Sequence, residues 1–522
     1  MPAPTPPAAP VRLAEVLAAI SLASDVGHDQ PLEKSLRNAV IATRLGIELG
    51  LGREDLSHTY YVAMLRSMGC TANAHDTDAM MGGDDRGFAG VIQILDVGDP
   101  LAWAKGAARQ VAATAPDVAG ARGPGWFLRE GMIAGREAGR AACEVATTLA
   151  RRLGLADGVQ QGLDQIYERW DGHGAPAGVA GERLTIASRI AHLVDVVEIV
   201  EREGGAEAAR EVARRRSGGH FDPAVAAAFE RAAPELLAGL DGVDMLELAL
   251  SVEPGPAPRF PRSELVGLAA AISDFADLKS PWTLGHSSAV AELAAAAGAP
   301  DDRELLTLAG LLHDIGRVAV PNGIWDKPGA LGTAQRERVR LHSYYTERIL
   351  ARVPVFAWLA GVAGAHHERL DGSGYHRCLG ADWLTEPMRV LACADVYVAL
   401  ISARPHRPAM TATDAAAELR AEVKAGRLCA AASEAVLGAA GHERAVRSSR
   451  PCDLTEREVE VLCLLARGLT NKQIAAELFL SHRTVGHHLA HVYDKIDRRT
   501  RAGAAMFAAE HALLNPPRIR AA

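Results

Sequence analysis

The chain repeats parts of its own sequence at long, nearly constant spacings. Residues 168 to 178, ERWDGHGAPAG, resemble residues 368 to 378, ERLDGSGYHRC, and residues 189 to 197 resemble residues 389 to 397 at the same spacing of 200. Self-similarity of this length predicts two copies of one structural unit. The repeat therefore constrains most of the chain to a tandem architecture.

The two copies differ in length before these matches. Residues 63 to 69 match residues 310 to 316 at a spacing of 247, and residues 30 to 40 match residues 280 to 290 at a spacing of 250. The change in spacing predicts an insertion of roughly fifty residues in the first copy, between about 70 and 130.

Two proline-rich or charged stretches, residues 251 to 264 and 441 to 453, separate three blocks. A chain of 522 residues also exceeds what one hydrophobic core usually supports. We expect a disordered tail (1–10), a first-copy domain (11–250), a second-copy domain (262–440) and a C-terminal domain (450–522).

The composition favours helices over sheets. Among the apolar residues alanine, leucine and valine dominate, and only 5% of all residues are aromatic, which predicts an all-α fold. The net charge of -8 argues against a protein whose whole surface coats nucleic acid. The 7 cysteines form no CxxC pair, and neither a signal-peptide pattern nor a long apolar stretch is present, so we expect a soluble cytoplasmic protein without membrane contact.

Histidine and aspartate concentrate in the second copy. Adjacent helix positions diverge by about 100°, so His313 and Asp314 can both face inward only toward a central cavity. Asp395 lies in an apolar run, where a carboxylate must be paired, hydrogen-bonded or metal-bound. The candidate metal ligands are His286, His313, Asp314, His342, His366, His367 and Asp395. Imidazole and carboxylate ligands without a thiolate suit two Fe or Mn ions, with Zn or Ni possible in vitro.

The sequence around these residues resembles the HD-GYP branch of the HD phosphohydrolase superfamily. The segments that carry the resemblance are GHSSAVAEL (285 to 293), LLHDIGRVAVP (311 to 321), HHERLDGSGYH (366 to 376) and ADVYVALISARPHR (394 to 407). The resemblance implies a metal-dependent phosphodiesterase that acts on cyclic di-GMP. Trp282 stands where some family members carry a glutamate for a third metal, which favours two ions.

The resemblance also implies roles in the reaction. Asp314 would bridge the two ions and hold the bridging water or hydroxide that attacks the phosphodiester in line. Arg317 replaces the usual lysine while keeping its charge. Arg404, Arg407 and Tyr375 would contact the substrate phosphates. The alternative for the two later arginines is an exposed salt bridge in a loop.

Two departures from the family pattern concern the substrate more than the metal. The GYP tripeptide is Gly374-Tyr375-His376, so the rigid proline is missing. The HFDP turn is absent after Asp395 and present instead in the first copy, at residues 220 to 223. The sequence therefore indicates metal binding more directly than cyclic di-GMP specificity.

The first copy lacks most of the candidate ligands. On the alignments above, Leu36 replaces His286, Arg66 and Ser67 replace His313 and Asp314, Ala142 replaces His342, Ile166 and Tyr167 replace His366 and His367, and Asp195 remains opposite Asp395. One carboxylate cannot hold two ions. We therefore expect an inactive domain used for packing, dimerisation or sensing.

Three helix starts can be identified between residues 454 and 512. Thr455 with Glu458 and Thr470 with Gln473 are capping boxes, and Ser481 caps a third helix. The third helix should bury Val485, Leu489, Val492 and Ile496. This order is typical of a helix-turn-helix.

The C-terminal segment resembles the LuxR-type DNA-binding domain, whose third helix enters the major groove of double-stranded DNA. By position, the residues near DNA would be Lys472, Thr484, His487, His488, Lys495, Arg499 and Arg501. Residues 451 to 522 carry ten Lys or Arg against eight Asp or Glu, a net charge of +2. A single domain with so small a net charge should bind the DNA phosphates weakly, so we expect a homodimer.

Three functions remain open at this point. The first is a transcriptional regulator whose second copy binds or cleaves cyclic di-GMP or a related nucleotide. The second is a phosphohydrolase of another phosphorylated compound, localised by its DNA module. The third is a non-catalytic receptor with structural metals.

Overall fold

The computed structural model describes residues 10–96, 98–441, 451–511 and 513–514. Most of the predicted disordered tail therefore lies outside the described residues. The chain divides into two compact units at the junction between residues 262 and 263. No helix in the described part is long and apolar enough to cross a membrane.

The first unit is helical with one short strand pair. Its elements are β1 (Val11–Arg12), α1 (Leu13–Gly27), α2 (Lys34–Glu48), α3 (Arg53–Leu65), α4 (Ala74–Met81), α5 (Asp85–Ile92), α6 (Pro100–Thr114), α7 (Pro116–Trp126), α8 (Met132–Arg152), α9 (Asp157–Asp164), α10 (Ile186–Arg215), α11 (Pro223–Leu237), α12 (Met245–Ser251) and β2 (Arg259–Phe260). β1 and β2 pair antiparallel, with Val11 opposite Phe260. The predicted break at 251 to 264 is thus partly folded into the first unit.

The regular elements named in the described part of the second unit are all helices. Its elements are α13 (Leu265–Asp277), α14 (His286–Ala297), α15 (Arg303–Leu312), a 3₁₀ turn (Ile315–Ala319), α16 (Asn322–Trp325), α17 (Thr333–Arg352), α18 (Pro354–Ala357), α19 (Ala360–Gly364), α20 (Glu386–Ile401), α21 (Ala412–Lys424), α22 (Ala430–Ala439), α23 (Glu456–Ala466), α24 (Asn471–Glu477), α25 (His482–Ile496) and α26 (Arg501–Glu510). The predicted all-α fold class is confirmed.

The packing of α14 and α20 positions the candidate ligands of the second unit. α14 packs against α15, α20 and α22. α20 is apolar on most sides and buries Leu391, Cys393 and Ala394 together with Asp395, as a helix in a domain interior must. The start of α14, the end of α15 and the middle of α20 therefore meet in the core.

The insertion predicted in the first copy contains helices α4 to α7. It has a buried hydrophobic cluster, formed by Met81, Phe88, Trp103, Ala104, Ala107, Val111 and Phe127. The extra residues thus fold around apolar side chains that they supply themselves.

The C-terminal helices begin where the sequence predicts. Thr455 with Glu458 and Thr470 with Gln473 form both hydrogen bonds of a capping box. The Ser481 hydroxyl accepts from the Thr484 N–H at 3.0 Å. The predicted apolar stripe of α25 is buried, and Phe479 in the preceding turn has a left-handed φ of 54°. These helix starts are confirmed because capping depends on local sequence.

Candidate metal centre

All seven predicted metal ligands converge in the core of the second unit. His286 begins α14, His313 and Asp314 follow α15, and His342 lies in α17. His366 and His367 follow α19, and Asp395 lies in α20. Six of the seven side chains are buried, and His367 is 19% exposed.

Two groups of ligand atoms share no residue, and a third, formed by His313, Asp314 and His366, links them. His286, His313 and Asp395 make one group, with 3.1 Å between His286 Nε2 and Asp395 Oδ1. The other group consists of His342, His366 and His367, with 3.1 Å between the Nε2 atoms of His342 and His366. Within each group the ligand atoms lie within 4.8 Å of one another. Two ions could therefore be held side by side.

Asp314 lies between the two groups. Its Oδ2 is 3.3 Å from His313 Nε2 and 3.7 Å from His286 Nε2. Its Oδ1 is 3.3 Å from His342 Nε2 and 3.6 Å from His366 Nε2. The Asp314 carboxylate thus has one oxygen toward each group and could contact a cation held in either of them.

Backbone carbonyls orient three of the histidines. The Nδ1–H of His313, His342 and His366 donates to the carbonyl three residues earlier, at Gly310, Val339 and Ala363. Each bond leaves the Nε2 atom facing the centre, as is common for metal-binding imidazoles. His286 differs, because its Nδ1 faces Arg404 Nη2 at 3.4 Å.

The protonation of the centre suits cation binding. Burial lowers the pKa of His286 and of His366 to about 4, so both rings are neutral at pH 7. Burial opposes the ionisation of Asp314, but Arg317 and His313 hold the pKa of its carboxyl well below its usual range. Although burial acts to lower it, the charge of Asp314 raises the pKa of His313 to about 9. A bound cation would displace that proton.

Unsatisfied atoms show that the residues fit a metal. The buried His313 Nε2 and both carboxylate oxygens of Asp314 have neighbours at ion-pair distance but no hydrogen bond of good geometry. Buried polar atoms without partners are costly and rare. Divalent cations bound here would be coordinated by these nitrogen and oxygen atoms, which would then no longer lack partners.

Arg317 joins the centre through one side of its guanidinium. Its Nη2 lies 2.7 Å from Asp314 Oδ2, whereas Nε and Nη1 are buried without a hydrogen-bond partner. The guanidinium carbon lies 4.7 Å from the ring centroid of Trp325, whose indole N–H donates to the Arg317 carbonyl at 3.3 Å. The Trp325 ring also meets His342 edge-on at 5.5 Å. Sequence reasoning missed Trp325, because no motif marked it.

The structure separates the two predicted phosphate-binding arginines. Arg404 reaches the centre, where it donates to the Trp282 carbonyl at 3.0 Å and contacts His286. Arg407 instead donates to the carbonyls of Leu400, Ser402 and Pro408. Both terminal nitrogens of Arg407 are thus engaged by backbone carbonyls, and its phosphate contact stays a prediction that this geometry does not support.

Tyr375 lies beside the second ligand group. Its ring is 4.2 Å from the His367 ring, and Arg340 lies 5.7 Å from its centroid. The neighbouring His376, which replaces the expected proline, lies with its Nε2 3.6 Å from Glu347 Oε2. Glu368 also accepts from the N–H groups of the loop at Arg377, 3.1 Å, and Leu379, 2.9 Å. Two carboxylates thus hold this loop against the centre.

Comparisons with known proteins agree with this geometry. Residues 270–428 match the HD domain family, and residues 453–508 match the bacterial regulatory proteins of the luxR family. The chain is 32% identical over 420 residues to the 3'3'-cGAMP-specific phosphodiesterase 3 of Vibrio cholerae serotype O1, covering 76% of this chain and 88% of the relative. The chain belongs to the HD-GYP family of HD-domain proteins. The sequence-based family assignment is confirmed.

Two further HD-GYP comparisons are informative. A cyclic di-GMP phosphodiesterase of Pseudomonas aeruginosa is 41% identical over 109 residues, which are 21% of this chain and 26% of the relative. The crystal structure of a cyclic GMP-AMP specific phosphodiesterase from V. cholerae has a TM-score of 0.57 and 27% identity, covering 83% of this chain and 98% of that one. The similarity to this structure therefore covers more of the chain than its second HD copy.

The residues predicted to contact DNA divide into two sets. Lys472 and His487 are exposed, and Thr484 and His488 are partly exposed on α25. Lys495 Nζ instead lies 2.7 Å from Glu458 Oε2, and Arg501 donates to the carbonyls of Leu465 and Leu469. Arg499 is exposed beyond the end of α25. Lys495 and Arg501 thus have partners within the domain that the sequence did not indicate.

Proposed function

We propose that this HD-GYP protein is a transcriptional regulator whose second HD copy is a metal-dependent phosphodiesterase of cyclic dinucleotides. The observation that carries the proposal is the pair of ligand groups joined by Asp314. The relative that aligns over 76% of the chain is named for 3'3'-cGAMP, and a shorter match is named for cyclic di-GMP. We place 3'3'-cGAMP first as substrate and cyclic di-GMP second.

The donor set fits two Fe or Mn ions, held by His286, His313 and Asp395 on one side and by His342, His366 and His367 on the other. When bound, such ions supply a hydroxide at neutral pH and stabilise charge on the phosphoryl oxygens. Asp314 is the group that spans both positions.

The chain's own residues would orient the phosphodiester. Arg317 keeps Asp314 in place through Nη2. Its Nε and Nη1 donors, which have no hydrogen-bond partner in the protein, can bind a phosphoryl oxygen. Tyr375 covers the second ligand group and forms one wall of the substrate site. Arg404 positions His286 by contacting its ring and the Trp282 carbonyl.

The C-terminal domain would bind double-stranded DNA through α25. The accessible side chains for this role are Lys472, Thr484, His487 and His488, with Arg499 nearby. We assign Lys495 and Arg501 to holding the domain together. A regulator of this type would act in the cytoplasm as a homodimer, with the nucleotide changing its DNA affinity.

The activity test uses full-length protein purified without oxygen and loaded with Mn or Fe. Bound metal is counted, and linear product from 3'3'-cGAMP and cyclic di-GMP is followed by chromatography. We expect two ions and turnover that Asp314→Ala abolishes. Glu337→Gln, an exposed change on α17, is the matched control.

The outcomes separate the alternatives. Two ions with no turnover of either nucleotide would reject the phosphodiesterase and favour a receptor or a different phosphorylated substrate. No bound metal would reject the centre itself. Coupling is measured as promoter-DNA affinity at saturating cyclic dinucleotide, with the linear product as control; unchanged affinity would reject it.

A further inference from the structure

The first HD copy keeps the backbone frame of the metal centre. In the second copy, the Asp277 carboxylate accepts from the Ser287 N–H at 3.0 Å, just after the left-handed Gly285. In the first copy, Asp25 accepts from the Ser35 N–H at 3.1 Å, just after the left-handed Glu33. Equivalent residues of the two copies are therefore 252 positions apart in this segment, and Lys34 occupies the position of His286. The sequence-based pairing of Leu36 with His286 was wrong by two residues.

A close backbone contact fixes the next part of the frame. A Cβ at Gly316 would lie 2.1 Å from the carbonyl oxygen of His342, and a Cβ at Gly69 would lie 1.9 Å from that of Ala142. Only glycine fits such an approach. The pairing of Arg66 with His313 and of Ala142 with His342 is thereby supported by geometry.

Two side-chain cations surround the remaining carboxylate. Lys34 Nζ forms an ion pair with Asp195 Oδ1, and Arg66 Nη1 lies 3.0 Å from Asp195 Oδ2. Asn38 donates to the same carboxylate at 3.2 Å. The side chains of Lys34 and Asp195 are 3% and 2% exposed, and that of Arg66 is 13% exposed. Burial opposes ionisation, but Arg66 and Lys34 keep the pKa of Asp195 well below its usual range.

The other catalytic positions have changed as well. Cys70 follows Gly69 as Arg317 follows Gly316, so the candidate phosphate donor is gone. Tyr167, at the position of His367, points its hydroxyl to the Cys70 sulfur at 2.8 Å. Among the described residues of the first unit, no three His, Cys, Asp or Glu side chains are close enough to hold an ion.

We propose that the first HD copy is a metal-independent form of the centre, in which the Lys34 ammonium and the Arg66 guanidinium replace the metal ions as counter-charges to Asp195. Its fold would then be independent of metal supply, whereas the second copy would be stabilised when ions bind. Metal-dependent chemistry would be confined to the second copy.

The experiment compares equivalent segments of the two copies in one full-length protein. Hydrogen exchange is followed with and without a chelator in residues 60–68, 139–146 and 191–199 of the first copy. The matched segments of the second copy are 307–315, 339–346 and 391–399. We expect the chelator to speed exchange only in the second set. Faster exchange in the first set would overturn the proposal.

Variants test the charge replacement directly. Asp195→Asn should leave the number of bound metal ions unchanged. It should speed hydrogen exchange in the first set of segments, because two buried cations lose their partner. Removing all three charges with Lys34→Met, Arg66→Met and Asp195→Leu should restore protection relative to the single change. Metal loss in Asp195→Asn, or no rescue in the triple variant, would contradict the proposal.

Failure of the proposed function would give a different result. A protein without bound metal, whose second set ignores the chelator, would reject the metal centre of the second copy. The stability pattern of the Asp195 variants would still decide the proposal for the first copy. Asp395→Asn serves as the matched change in the second copy and should lower the metal count.

Discussion

Asp314 is a buried charge whose partners explain its position. Burying a carboxylate is costly unless cations or hydrogen bonds offset the loss of water. Arg317 supplies one cation at 2.7 Å, and the other neighbours of the carboxylate oxygens are imidazole nitrogens at 3.3 to 3.7 Å. The residue is therefore stabilised most when further cations lie on both sides of it.

Trp325 should act as a positioning residue for Arg317. Trp325→Ala removes the ring beside the guanidinium, an interaction of about 1–2 kcal/mol in a desolvated site. We expect kcat/KM for the cyclic dinucleotide to fall about tenfold, with the number of bound ions unchanged. Trp325→Phe keeps a ring face and should retain most activity; an equal loss in both variants would contradict this role.

Arg407 should stabilise α20 without contacting substrate. Arg407→Gln removes donors from the carbonyls at the end of that helix, so we expect a loss of about 1–2 kcal/mol in the free energy of unfolding. The Michaelis constant should not change. A large rise in the Michaelis constant at unchanged stability would restore the phosphate-binding role.

At the scale of elements, a single carboxylate joins two helices of the luxR-family domain. Glu458 completes the capping box of α23 with Thr455 and forms an ion pair with Lys495 on α25. Burial opposes its ionisation, but Lys495 and Thr455 lower the pKa of Glu458 to about 2. The residue that caps α23 thus also fixes α25.

Lys495 and Lys472 should differ in how they affect DNA binding. Lys472→Gln removes an exposed cation and should reduce the salt dependence of binding by about one counterion. Lys495→Gln should lower the stability of the domain and leave the salt slope unchanged. DNA affinity measured from 50 to 200 mM salt distinguishes them; equal slopes for both variants would contradict the assignment.

The insertion in the first unit should be a separate packing element. Trp103 is buried in the cluster of α4 to α7, and large-to-small changes in a core cost about 3–5 kcal/mol. Trp103→Ala should speed hydrogen exchange in residues 81–127 without changing bound metal. Loss of metal from this variant would show that the insertion supports the second copy.

At the scale of the whole molecule, related units have different chemistry. The second copy gathers six imidazole and carboxylate ligands around Asp314, whereas the first neutralises its one carboxylate with side-chain cations. Two copies within one chain can thus keep the same fold while the side chains at the site differ. The C-terminal domain adds a luxR-family unit of low net charge to this pair.

Two DNA-binding heads should be needed for tight binding. A net charge of +2 between residues 451 and 522 gives one head little phosphate affinity. We expect DNA with two half-sites to bind at least tenfold more tightly than DNA with one, because the second contact is intramolecular. Gel-shift titration with paired and single half-sites checks this; equal affinity would argue against a homodimer on DNA.

The sequence alone predicted the all-α class, the repeat, the seven His and Asp residues that cluster in the second copy and the helix starts of the C-terminal domain. These features depend on local patterns: ligand types in order, apolar periodicity, and capping residues such as Thr455 and Ser481. Each pattern is contained in a few neighbouring residues, so it survives without knowledge of the fold.

Only the tertiary structure decided the partners of long charged side chains. Arg407, Lys495 and Arg501 all find carbonyls or carboxylates within the fold, because a flexible cation binds whichever acceptors the packing brings near. The placement of Lys34 against Asp195 required the backbone frame, since apolar matches alone left the alignment two residues out of register. Trp325 gained its place beside Arg317 in the same way, through a contact between separate elements.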